Sequence, residues 1–245
     1  MALSVLAQDP TKPVVYKPFK AGERLVYELR YGPIVGGKAH LNLKKTIYKG
    51  KTAYYAEAKA VSVGLVERLF NIEDIYASYF DPVTNLPFMA IRDIHEGNYT
   101  FYNEVEYFHN DSMVISTKSG KVEVPPNILD MVSTLYYLRR IDYKKMRPGD
   151  VIDVETFFSD EIFPFDIRYR GKEKVKTKLG TFMCLRFDPV VEPGRIFESE
   201  DDMTIYISDD ANYLPLQVRF DMLVGSVKCD LAEYDNIMYP LVPLD

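Results

Sequence analysis

From Pro125 to Pro148 the chain reads PPNILDMVSTLYYLRRIDYKKMRP, and here the hydrophobic spacing changes from every second residue to a helical period. Ile128, Met131, Val132, Leu135 and Leu138 follow the i, i+3, i+4, i+7 rule. Pro126 stands near the first turn, where a missing N–H costs nothing, and Arg139 and Arg140 stand at the end whose macrodipole favours cations. The spacing predicts one helix, Ile128 to Ile141. Its other side carries Leu129, Tyr136 and Tyr137, so it is apolar over much of its circumference and is expected to be buried.

What surrounds that helix reads almost wholly as strands. Glu23 to Tyr31 places Leu25, Tyr27 and Leu29 on one face, Gly32-Pro33 turns the chain, and Ala39, Leu41 and Leu43 alternate with His40, Asn42 and Lys44. Lys49-Gly50-Lys51 is a hairpin turn into Thr52 to Val61. Leu65 to Phe70 fits a helical turn or a strand equally well. Ile72 to Phe80 is a strand, followed by turn chemistry at Asp81 to Asn85 and by Leu86-Pro87. Ala90 to His95 and Tyr99 to Phe108 form a hairpin through Glu96-Gly97-Asn98, and a third pair flanks Ser119-Gly120-Lys121.

Beyond the helix the same landmarks return in the same order. Gly22-Glu23 is echoed by Gly149-Asp150 (149 − 22 = 127), Asp81 by Asp209 (128) and Leu86-Pro87 by Leu214-Pro215 (128). Arg92 matches Arg219 (127), Gly97 matches Gly225 (128) and Glu106-Tyr107 matches Glu233-Tyr234 (127). Turn and strand-end residues with fixed backbone roles recur in this way when a supersecondary unit is duplicated. The reading is a lead over residues 1–21 and a single domain over 22–245. Within it lie repeat one (22–107), a helical connector (108–148) and repeat two (149–234). Joining the two meanders edge to edge removes most of their unpaired strand edges. The expected fold is all-β: internally duplicated antiparallel β-meanders forming a barrel or half-barrel, with one central or capping α-helix filling an interior that short side chains cannot.

Composition narrows the function classes. The 245 residues are 47% hydrophobic and 27% charged, ordinary for a globular chain, with nineteen Tyr, fourteen Phe and no Trp. Tyr suits half-wet strand positions. A net charge of −6 with dispersed Lys and Arg gives no footprint for nucleic acid, and no apolar run is long enough to span a bilayer as a helix. Ala2 to Asp9, ALSVLAQD, reads like the end of a secretory segment with Val5 and Ala7 at the −3 and −1 positions of a cleavage site, which would make Gln8 the first mature residue. Cys184 and Cys229 lie in separate expected strands, and spacing alone leaves both a disulfide and two buried thiols open.

The search for chemistry is mostly negative. There is no G-x-S-x-G, H-E-x-x-H or C-x-x-C and no phosphate-binding glycine loop, so no catalytic residue, metal ligand or cofactor is assigned. Asp93 and His95 share one face of a strand beside Glu96, a trio that reads as a solvated hairpin end. The acidic run Glu198, Glu200, Asp201 and Asp202 lacks the spacing of a calcium loop, and Asp209, Asp210 and Asn212 read as a turn.

The run GERLVYELRYGPIVGGKAHLNL, the turn Asp81 to Pro87 with Arg92-Asp93-Ile94-His95-Glu96-Gly97, the helix STLYYLRRID and the segments GTFMCLRFDPVVEPGRIF and ISDDANYLPLQVRFDMLVGSVKCDLAEY together resemble the exported family of Gram-negative bacteria called domain of unknown function 3108. The resemblance runs from about Gly22 to Tyr234. It implies a periplasmic, β-barrel-like protein without a known activity, and it brings no functional residues to transfer. The expected function is non-enzymatic: binding or carrying a lipid or other amphiphile between sheet and helix, with Ile128, Met131, Val132, Leu135, Tyr136 and Leu138 as the ligand-binding face. The alternative is an envelope assembly or scaffold protein acting on a protein partner through exposed edges or aromatic patches. An enzyme built on Asp93, His95 and Glu96 ranks third.

Overall fold

The computed structural model of the chain describes residues 4–5, 16–189, 203–221 and 226–245. Most of the secretory-like segment, the acidic run from Glu198 to Asp202 and the landmark Gly225 lie outside them. Repeat one contributes β2 (Arg24–Tyr31), β3 (Ile34–Tyr48), β4 (Lys51–Ser62), β5 (Ile72–Phe80), β6 (Pro87–Glu96) and β7 (Tyr99–Phe108), preceded by a two-residue β1 (Ser4–Val5). A short helix α1 (Gly64–Leu69) resolves the ambiguous stretch between β4 and β5. β8 (Met113–Ser116), β9 (Gly120–Glu123) and α2 (Met131–Leu138) follow. Repeat two contributes β10 (Val151–Ile152), a side hairpin β11 (Glu155–Phe158) and β12 (Glu161–Pro164), then β13 (Ile167–Thr177), β14 (Gly180–Pro189), β15 (Met203–Ser208), β16 (Pro215–Asp221) and β17 (Ser226–Asp235).

Fifteen of these strands form one sheet in the order β1-β10-β13-β14-β15-β16-β17-β2-β3-β4-β5-β6-β7-β8-β9. Every pairing is antiparallel except β1 with β10. The repeats meet edge to edge at β17 and β2, where Cys229 lies opposite Leu29 and Leu231 opposite Tyr27. The turn logic is visible at Lys49-Gly50, both at positive φ (46° and 81°), the two-residue loop whose twist matches the strands it joins.

The duplication is written into the backbone hydrogen bonds. Gly22 N–H donates to Leu43 and Glu23 N–H to Lys20, while Gly149 N–H donates to Tyr169 and Asp150 N–H to Arg147. Gly22 and Gly149 share a left-handed conformation, φ 92° and 101°. Both repeats carry a bulge just after the Leu-Pro pair, at Phe88 opposite the step from Tyr79 to Phe80 and at Leu216 opposite the step from Tyr206 to Ile207. The second turn is one residue longer. Asp81 Oδ1 accepts from Val83 and Thr84, and in repeat two that role passes to Asp210, whose Oδ1 accepts from Asn212 and Tyr213.

The connector organises the core. Val132 and Tyr136 pack with Leu25, Leu41, Leu43, Phe80, Leu214 and Leu231 inside the curve of the sheet. Leu129, Leu138, Ile141 and Tyr143 pack on the repeat-two strands against Ile167, Leu185, Phe187 and Ile205, and Ile128 joins Val105, Tyr107, Val114 and Phe157 under repeat one. The helix itself is shorter than its spacing predicts, eight residues instead of Ile128 to Ile141. Asp130 stops it at the N-terminus: its carboxylate accepts from Val132 N at 2.7 Å and Ser133 N at 2.9 Å, and Ser133 Oγ accepts from Asp130 N, a closed capping box. Asn127 at φ 65° turns the chain before it, so Pro126 lies outside the first turn. Ile128 and Leu129 are extended, and Leu129 exchanges backbone hydrogen bonds with Glu155 and Phe157. At the other end Arg140 N–H and Ile141 N–H reach back only three residues, which tightens and ends the helix. Arg139 serves an ion pair: its guanidinium grips both oxygens of buried Glu23.

Candidate functional site

Two recesses flank the extended approach to α2. The larger is a groove of about 430 Å³, open along one side and lined by Leu86, Pro126, Leu129, Tyr137, Val154 and Pro164, with Asn127, Asp153, Glu155 and Asp166 among its walls. It exists because Leu129 pairs with the backbone of β11, which holds the 126–129 segment away from the β5–β6 turn and brings the start of the side hairpin alongside it. Burial pushes the carboxyl of Asp166 up, against a hydrogen bond from Val154 N–H that favours the charged form. The groove therefore offers apolar contacts flanked by three acids.

The smaller recess is a slot between the side hairpin and the sheet's inner face at β5–β7, lined among others by Tyr76, Ala77, Ala90, Arg92, Asn103, Val105, Tyr107, Asp130 and Phe157. The hairpin is pinned over it by its turn. Ser159 and Asp160 both adopt left-handed φ (53° and 63°), and the Asp160 carboxylate accepts from Asn103, Ser116 and Ser119. Ser159 Oγ accepts from Arg92 Nη1 at 2.8 Å. The Arg92 guanidinium lies 4.8 Å from the ring centre of Phe101, 5.0 Å from Phe158 and 5.7 Å from Tyr76. Asp130 accepts from Ser78 Oγ at 2.6 Å besides its two cap donors. Burial pushes its carboxyl up, and those donors oppose the shift.

The six residues expected to form one ligand-binding face are dispersed. Ile128, Val132, Tyr136 and Leu138 are packed in three different clusters. Met131 and Val132 line the slot, and Leu135 turns outward at 37% exposure. None of the six lines the groove. An extended start to the segment, in place of a longer helix, exchanges that face for Leu129 and Tyr137. The hairpin that builds both recesses had a legible signal, Ser159-Asp160 between the apolar pairs Phe157-Phe158 and Ile162-Phe163. Asp93 and His95 do pair, at 3.0 Å, on an exposed strand face. Among the described residues no three His, Cys, Asp or Glu side chains converge as a metal site, and Cys184 and Cys229 are both free thiols. No described helix is long and apolar enough to cross a membrane, which says nothing about strands.

The fold thus defines an internally duplicated, barrel-like antiparallel sheet wrapped around a short helix. The chain belongs to the family described as "Protein of unknown function (DUF3108)", whose model matches residues 26–232. It is also similar in fold to the crystal structure of a β-barrel-like protein of domain of unknown function DUF1849 from Brucella abortus. That likeness has a TM-score of 0.57 at 10% identity, over 89% of this chain and 98% of the other. No curated protein matches the sequence.

Proposed function

We propose that this protein is a non-enzymatic binding module of the bacterial periplasm that takes a small amphiphile in the groove beside α2. The observation that carries the reading is the groove itself: about 430 Å³ of space, within the range of small-molecule sites, with an apolar lining of Leu86, Leu129, Tyr137 and Val154 beside the carboxylates of Asp153, Glu155 and Asp166. Such a surface suits an apolar body carrying a cationic or hydroxyl-bearing head, since carboxylates accept hydrogen bonds and reject anions. The compartment rests on the secretory-like start of the chain. Cleavage after Ala7 would remove β1, which adds only two parallel pairings, with Val151 and Ile152, at one edge of the sheet.

Native mass spectrometry of the protein isolated from its own envelope, before and after mild organic extraction, tests this. The expected result is a stoichiometric mass that extraction removes and that Glu155→Lys, at the groove's edge, diminishes. A clean polypeptide mass in both spectra, with no uptake of added cationic amphiphiles, refutes it. One observation favours a protein partner instead. Ile34, Leu65, Leu69 at 87% exposure, Phe70 and Tyr99 crowd one end of the repeat-one strands, and that reading predicts concentration-dependent self-association or co-purification that Leu69→Glu abolishes.

A further inference from the structure

The slot under the side hairpin is a second recess, and the duplication isolates what is special about it. In repeat one β2 and β3 run unbroken to the Gly32-Pro33 turn, whereas in repeat two the equivalent hairpin, Tyr31↔Ile34 matching Phe158↔Glu161 at an offset of 127, separates from β10 and β13 as β11–β12. That hairpin folds across onto repeat one, where Phe157 packs with Val105, Tyr107 and Val114. The residues it covers keep the identity of their counterparts but not their surroundings. Tyr234 is 39% exposed and Arg219 is paired with Asp221 at 2.8 Å, while Tyr107 is 7% exposed. Among the described residues, the Tyr107 hydroxyl and Arg92 Nε are buried without a hydrogen-bond partner.

The hydrogen-bonding balance of the slot follows. Its two carboxylates are already engaged: Asp130 by Ser78, Val132 N and Ser133 N, and Asp160 by Asn103, Ser116 and Ser119. What remains unspent is donor capacity, Tyr107 O–H and Arg92 Nε–H. Buried donors of this kind call for an acceptor. The acceptor's charge is limited by the lining, where one guanidinium faces two carboxylates, so the formal sum is +1 − 2 = −1. An anion is repelled by the two carboxylates, and a cation has no lone pair to offer the two unspent donors. A neutral carbonyl meets both conditions. The small side chains of Ala77 and Ala90, with Val105 and Phe157, leave room of about 40 Å³ for its apolar substituent, roughly the space of three water molecules.

We infer that the slot between hairpin β11–β12 and strands β5–β7 binds the carbonyl end of a short neutral acyl ester or amide, with Tyr107 and Arg92 as its hydrogen-bond donors. The site lies on the far side of the Leu129–Asp130 segment from the groove, so the two readings fail independently. The test is solution NMR of the full chain titrated with methyl butyrate and N-methylbutyramide, with butyrate and butylamine as charged controls. The expected result is saturable shifts at the amides of Ala90, Arg92 and Tyr107 for the neutral probes only. Tyr107→Phe, which deletes a donor and keeps the ring, weakens the neutral probes about five-fold, the size of one hydrogen bond. Ala90→Leu fills the slot and abolishes the shifts, and its unchanged spectrum elsewhere shows that the fold is intact. Absence of shifts at millimolar ester, equal binding of butyrate, or binding indifferent to both substitutions overturns the assignment and leaves the slot to water. Glu155→Lys, which reads the groove, leaves these shifts unchanged.

Discussion

Replacing Arg139 by Met tests whether the connector is the keystone of the duplicated sheet. Arg139 is 2% exposed and its guanidinium makes four hydrogen bonds: to both Glu23 oxygens, to Asn212 O at 3.0 Å and to Pro18 O at 3.1 Å. These join α2 to the opening turn of repeat one, to the lead before it and to the β15–β16 turn of repeat two. Burial alone would lower the arginine's pKa, yet the Glu23 carboxylate beside it holds the pKa above its ordinary value, so the side chain stays charged. Removing one member of such a pair strands the other charge, which costs about 3–5 kcal/mol. With a urea m-value of about 3 kcal/mol/M for a chain of this size, the midpoint of unfolding falls by about 1–1.7 M. The double variant Glu23→Gln/Arg139→Met removes the stranded charge and is expected to recover about half of the loss. A single variant that loses less than about 1 kcal/mol, or a double variant no more stable than the single, refutes the reasoning.

Asp130→Ala removes the α2 cap and leaves Ser78 and two backbone N–H groups unsatisfied, and is expected to cost about 2–3 kcal/mol in urea titration. Asp130→Asn, which can still cap, costs less. Because burial raises the Asp130 pKa in the folded state, that state holds the proton more tightly than the unfolded chain. Stability from this group is present below the ordinary carboxyl value of 3.8 and falls as pH rises through the folded pKa. Asp130→Asn should flatten that fall, as read from unfolding midpoints across the window above 3.8. Gly22→Ala and Gly149→Ala both strain a left-handed backbone, at about 1 kcal/mol or more, but the first is the worse because its Cβ would lie 2.4 Å from Asn236 Nδ2 whereas nothing lies within 4 Å of the second. Paired urea titrations check that order. Burial pushes both cysteine thiols up to about 12, so Cys184 and Cys229 should react with a thiol reagent at pH 8 only on unfolding, with two thiols titrated and no reductant required.

The sequence carried the repeat because its landmarks are backbone necessities. A left-handed Gly22 or Gly149, an Asp81 that closes a turn on the N–H groups of Val83 and Thr84, and a Leu-Pro pair before a bulge leave marks that survive without their surroundings. The seam at β17 and β2 followed from the cost of unpaired edges. The helix ends were misjudged because hydrophobic spacing cannot distinguish a helical turn from an extended segment whose apolar residues happen to face two neighbours, as Ile128 and Leu129 do. Only Asp130, read as a cap with Ser133 three residues on, marks the true start. The groove and slot were hidden for another reason. Their residues come from the connector, the side hairpin and repeat one, and no periodicity reports contacts such as Asp160 with Asn103 or Leu129 with Glu155.

Two copies of one meander placed edge to edge would present equivalent faces inside the curve, and equivalent faces give no reason for a recess on one side. The symmetry is broken where β10 ends after two residues and the hairpin β11–β12 crosses to repeat one. Among the described residues β9 pairs only with β8 and β1 only with β10, so backbone pairing does not join the sheet's ends. The hairpin packs beside one of those ends, on β7 and β8 through Phe157, while α2 packs against β4, β5 and β11. The Tyr107 and Arg92 donors stay unspent under the hairpin, and the 430 Å³ groove opens beside it. Both candidate sites therefore sit where the duplication is broken, and substitutions in β11–β12 should change ligand binding while substitutions at the β17–β2 seam change stability alone.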